Sequence, residues 1–95
     1  MKIWLDDLRP VPNGYMGAKS VNEAMALIQQ AEAKRDVIEL LDLDHDLGDY
    51  YHDGGDAIKL LDWLVERETF YPVAIHTANP VGRANMERMI MRYWP

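Results

Sequence analysis

The chain has no cysteine, one phenylalanine in 95 residues, and only 10 lysines and arginines against 16 aspartates and glutamates. Without thiols there are no disulfides, no cysteine nucleophile and no zinc–thiolate centre. Any metal must be held by oxygen and imidazole, which favours a hard divalent cation such as Mg²⁺ or Mn²⁺. A formal net charge of −6 speaks against a protein that grips duplex DNA over its whole surface, because neutralising phosphates takes clustered Lys and Arg. No stretch approaches the roughly 20 apolar residues of a membrane span, and Met1-Lys2-Ile3-Trp4-Leu5 runs into charge instead of a signal-peptide apolar block. The expectation is a soluble, cytoplasmic protein with no membrane partner.

What is present fits one domain over residues 1–95, since 48% hydrophobic residues suffice for one core and the length is too short for two. Lys2 to Leu5 is a short apolar run ending in Asp6-Asp7. Leu8 to Gly17 holds Pro10, Pro12, Asn13 and Gly14 and reads as a loop, with a weakly signalled strand near Ala18-Lys19. Ser20-Val21-Asn22-Glu23 is a capping box opening a helix that ends near Lys34-Arg35 and buries Val21, Ala24, Met25, Ile28 and Ala31.

Val37 to Leu43 repeats the first strand's design, an apolar body leading into Asp44-His45-Asp46-Leu47-Gly48. A second helix runs from Ala57 to about Glu68, with Asp53 or Asp56 at its positive end. Tyr71 to Thr77 is a further apolar run. Asn79-Pro80 then caps and opens a last helix carrying Met86, Met89, Ile90 and Tyr93 inward. Strands alternating with helices imply a parallel sheet with right-handed crossovers, in which ligands collect at the carboxyl ends of the strands.

Asp6, Asp7, Asp44 and Asp46 would share that rim. Four carboxylates there repel one another unless a cation or protons intervene, and a divalent metal resolves the repulsion with two or three aspartates and a phosphate as ligands. Either pair alone reads as well as a solvated turn. Asp42 shares side-chain parity with Asp44 and competes with it for the strand end; Asp44 is preferred, because an acid inside a buried strand needs a partner of its own. His76, at the end of the Tyr71 to Thr77 run, suits proton transfer near neutral pH or a structural role. Val81 and Gly82 offer amides, and Arg83 a guanidinium, to a phosphate at the start of the last helix. Those three read equally well as ordinary helix and surface residues.

Taken together, Leu5-Asp6-Asp7-Leu8-Arg9-Pro10, Leu43-Asp44-His45-Asp46-Leu47-Gly48 and His76-Thr77-Ala78-Asn79-Pro80-Val81-Gly82-Arg83 resemble the cyclic-phosphate processing receiver-domain family. The resemblance implies a three-layer, receiver-like (flavodoxin-like) α/β fold with a short parallel sheet, here without the fifth strand and its lysine. It implies metal-dependent hydrolysis of cyclic phosphates, such as 2′,3′-cyclic nucleotides or RNA ends. Asp6, Asp7, Asp44 and Asp46 are then the expected metal group, and Asp44 and His76 the expected catalytic pair. Thr77, Asn79, His45, Gly82 and Arg83 are the expected phosphate or substrate contacts. A non-catalytic receiver-like module binding a metal, a nucleotide or a protein is the alternative, and a homodimer is one way to cover the sheet edge left by the missing strand.

Overall fold

A computed structural model describes all residues from Met1 to Pro95. Strands β1 (Lys2–Leu5), β2 (Tyr15–Ala18), β3 (Leu40–Leu43) and β4 (Val73–Ile75) form one parallel sheet in the order β2-β1-β3-β4. Helices α1 (Val21–Ala33), α2 (Ala57–Arg67) and α3 (Pro80–Tyr93) follow β2, β3 and β4 respectively. This is the receiver-like α/β architecture expected, with four strands and no fifth.

The caps explain where the helices start. Ser20 Oγ accepts the Glu23 amide at 3.1 Å, and the Glu23 carboxylate reaches back to the Lys19 amide at 3.3 Å. Asp56, rather than Asp53, caps α2 by accepting the Ile58 amide at 3.0 Å. Asp53 instead takes the Ser20 hydroxyl at 2.6 Å and the Asn22 amide group at 3.0 Å, tying the β3–α2 loop to the start of α1.

Period-two pairing sorts the strand residues onto two faces. Ile3 lies opposite Met16 and Leu41, Leu5 opposite Ala18 and Leu43, and Leu43 opposite Ile75. Ile3, Leu5, Leu41 and Leu43 are fully buried in one core with Val21, Ala24 and Ile28 of α1, Leu60, Leu61 and Leu64 of α2, and Met86 of α3. The helices stand in a row, α1 against α2 and α2 against α3. Lys2, Trp4, Tyr15, Asp42 and Ala74 occupy the opposite face. The expected third layer is absent: all three helices pack on one core, and residues 6–14, which join β1 to β2, form no helix on this side, in keeping with Pro10 and Pro12.

Two strands are shorter than their apolar runs. β3 starts at Leu40, leaving Val37 outside it and 73% exposed, and β4 covers only Val73–Ile75. In α3, Met86 is buried and Met89 and Ile90 are partly so, but Tyr93, expected inward, is 41% exposed.

Candidate metal and phosphate site

The site begins where β1 ends. Asp6 Oδ1 accepts the amides of Leu8 at 2.8 Å and Arg9 at 2.9 Å, which turns the chain sharply and swings the Arg9 side chain back over the rim. Arg9 Nη1 then stands 2.9 Å from Asp6 Oδ2 and 3.3 Å from Asp44 Oδ2. Asp44 directly follows β3, its own amide bonding Leu5 O at 2.9 Å and its Oδ1 accepting the His45 amide at 2.8 Å. Asp6 and Asp44 are both buried.

Asp7 completes the group from the side. Gly48 faces it with φ of +54°, and a Cβ at that position would stand 2.5 Å from Asp7 Oδ2. Glycine therefore supplies both the left-handed backbone and the room for the carboxylate. One oxygen from each of Asp6, Asp7 and Asp44 lies within 4.8 Å of the other two. Three carboxylates at that spacing on a pocket floor fit a hard divalent cation, which prefers oxygen ligands and retains some water.

Charge is already managed within the group. Burial pushes the Asp6 carboxyl up, but the amides of Arg9 and Leu8 and the side chains of Arg9 and His76 outweigh it, so Asp6 sits below the usual carboxylate range. The hydrogen bond to Asp6 correspondingly raises Arg9. Asp46 is also lowered, chiefly by His45 and then by Asn79.

His76 lies behind the carboxylates. Its Nε2 is 2.9 Å from Asp6 Oδ2 and its Nδ1 is 2.7 Å from Asp42 Oδ1. The ring stacks on the Trp4 indole, with centroids 3.8 Å apart and planes 3° from parallel.

A family model for the cyclic-phosphate processing receiver domain matches residues 1–92. The chain belongs to the cyclic-phosphate processing receiver-domain family. No match emerged among curated proteins or among solved structures.

In this family member Asp6, Asp7, Asp44, Asp46, Thr77 and Asn79 line one open cleft of about 340 Å³ at the carboxyl rim. Arg9 lines it with them. Asp46 stands apart from the three converging carboxylates, its oxygens meeting His45 Nδ1 at 2.9 Å and Asn79 Nδ2 at 3.0 Å. Thr77 Oγ1 accepts the Asn79 amide at 3.1 Å.

The other expected contacts lie elsewhere. Gly82 is buried against the His45 ring, which a Cβ at that position would strike, and its amide is taken by Asn79 Oδ1 at 3.0 Å. His45 is thus packed under α3. Arg83 turns away from the cleft, its Nη2 donating to Ile75 O at 3.1 Å and Thr77 O at 3.4 Å along the free edge of β4.

The contacts of three side chains at the site are not legible in the sequence. Arg9 comes into play through the three-residue return from Asp6, a spacing visible in the sequence only to a reader who knows the turn. Asp42 and Trp4 matter because of their pairing with His76, 34 and 72 positions away, which no local pattern encodes.

Proposed function

We propose that this receiver-family protein is a divalent-metal-dependent phosphodiesterase acting on cyclic phosphates, namely 2′,3′-cyclic nucleotides or RNA ends. The observation that supports it most is the convergence of Asp6, Asp7 and Asp44 within 4.8 Å beside Arg9, in a chain whose family is associated with cyclic-phosphate processing. Asp6, Asp7 and Asp44 would hold Mg²⁺ or Mn²⁺, and the bound ion supplies Lewis acidity towards phosphoryl oxygens and water.

The chain's own groups do the rest. Arg9, whose side chain is 44% exposed, turns from the carboxylates to the phosphate, its forked donors matching two oxygens. Asp44 Oδ1 is fixed by the His45 amide; once Arg9 has swung to the phosphate, Oδ2, which Arg9 meets in the metal-free protein, takes a proton from the water that attacks phosphorus and returns it to the ribose oxygen as the ring P–O bond breaks. The Thr77 hydroxyl, already accepting from Asn79, has its proton free for a ligand oxygen. The bond between Asn79 and Asp46 fixes the far wall. His76 is given no proton-transfer step, since each nitrogen already meets a carboxylate.

The test is turnover of 2′,3′-cyclic nucleotides, with linear diesters as controls, in Mg²⁺ and in Mn²⁺. Asp44→Asn is expected to lower the rate by about 10²-fold or more. Parent-like turnover by that variant overturns the mechanism. A second reading, a module that binds the same ligands without turning them over, is favoured by the engagement of both His76 nitrogens. Saturable binding of a cyclic nucleotide with no product would select it.

A further inference from the structure

We infer that Trp4 and Asp42 are positioning residues of the metal site, acting through His76 on Asp6 from the sheet face opposite the helices; the inference rests on the metal reading above. Trp4 and Asp42 are directly paired across β1 and β3, and Ala74, two residues before His76, is paired with Asp42 on the other side. Period-two alternation therefore sends all three side chains to the same face. Asp42 is a carboxylate inside a strand and only 15% exposed, so it needs a partner. Its partner is His76 Nδ1 at 2.7 Å.

The ring is fixed in two independent ways. Stacking at 3.8 Å on Trp4 sets its plane, and the contact to Asp42 sets its rotation within that plane. Nε2 is thereby aimed at Asp6 Oδ2, 2.9 Å away. Asp6 Oδ1 is held by the Leu8 and Arg9 amides, so both oxygens of this carboxylate are oriented before any ion arrives. Trp4 Nε1 is buried without a hydrogen-bond partner. The indole keeps that unfavourable burial while holding the stack, which marks ring contact as its task. Partners that orient metal ligands in this way typically change metal affinity by about 10–100-fold when removed.

The experiment measures Mn²⁺ binding by calorimetry, together with the Asp6 carboxyl ¹³C and His76 ring ¹⁵N resonances of the metal-free protein, for the parent, Asp42→Ala, Asp42→Asn and Trp4→Leu. Circular dichroism confirms folding of each. Asp42→Ala and Trp4→Leu are expected to weaken Mn²⁺ binding by about 10-fold or more and to move the Asp6 and His76 resonances. Asp42→Asn, which keeps an acceptor oxygen and serves as the milder variant if Asp42→Ala does not fold, is expected to recover most of the affinity. Parent-like Mn²⁺ affinity in folded Asp42→Ala and Trp4→Leu overturns the inference and leaves the metal reading standing. If the parent binds no Mn²⁺, the metal reading falls and the resonances decide: an Asp6 signal that moves in Asp42→Ala supports the brace, and one that does not overturns it too.

Discussion

Arg9 Nη1 stands 3.3 Å from Asp44 Oδ2, inside the carboxylate group that fits a divalent ion. The guanidinium neutralises, in the metal-free protein, the same charges a metal would. Arg9→Met should lower the melting temperature of the metal-free protein only modestly, since the exposed guanidinium is screened by solvent. Added Mg²⁺ should then raise the melting temperature more in the variant than in the parent. Melting curves with and without Mg²⁺ check this, and a smaller shift in the variant would count against a shared site.

Divalent metal itself should stabilise the parent. A ligand at 100 times its dissociation constant contributes about 2.7 kcal/mol. Titrating Mn²⁺ should raise the melting temperature progressively in the parent and much less in Asp44→Asn. Equal shifts would place the ion elsewhere.

Gly82→Ala should destabilise the fold by about 1–3 kcal/mol, the usual cost of overpacking, because the new methyl strikes the His45 ring. Urea unfolding measures the loss. Combining Gly82→Ala with His45→Ala should cost less than the sum of the two single changes, since removing the ring makes room for the methyl.

The alkaline limb of stability should belong to Tyr71. Burial, and then its hydrogen bond to Glu32, pushes the Tyr71 phenol from 10.0 to about 12. A group raised on folding contributes stability that is complete below its unfolded value, so this contribution is present up to about pH 10 and lost as pH rises towards 12. Glu32 has the opposite sign. Burial pushes it up, but the bonds from Tyr71 and Arg67 prevail and hold it below 4.5, so its contribution is present above that value and lost as pH falls. Urea melts from about pH 8 to about pH 11 should show a steeper decline for the parent than for Tyr71→Phe; parallel curves would exclude the assignment.

The β4 edge is guarded by side chains. The Leu41 amide donates to Pro72 O and the His76 amide to Leu43 O, so the alternate residues point outward, and two of their carbonyls are capped, Ile75 O by Arg83 at 3.1 Å and Tyr71 O by Trp94 Nε1 at 2.7 Å. An open edge invites pairing with another chain. Arg83→Met combined with Trp94→Phe should increase self-association in sedimentation velocity as concentration rises. An unchanged distribution would deny the caps that role.

The acidic rim was legible because two apolar runs each end in aspartate, and a parallel sheet brings such ends together. Asp6, Asp7 and Asp44 needed nothing more. The preference for Asp44 over Asp42 at the strand end agrees with β3 ending at Leu43, but the partner Asp42 requires is His76, reachable only because β4 lies beside β3. Arg83 illustrates the opposite case. A proline-led helix start with glycine and arginine suits an anion, yet in the folded chain the nearest needy acceptors are the carbonyls of a strand edge. Sequence pattern names the group and not the neighbour that claims it.

The central pairing of β1 with β3 has a kinetic side. Asp6 and Asp44 are 38 positions apart in sequence and become neighbours through the same registration that joins Leu5 to Leu43. Parallel pairing of this kind is non-local and slow to form. Repulsion between the two acids comes with that distant pairing, whereas the countercharge that offsets it, Arg9 on the Asp6 turn, comes from only three residues away and needs no long loop to be closed.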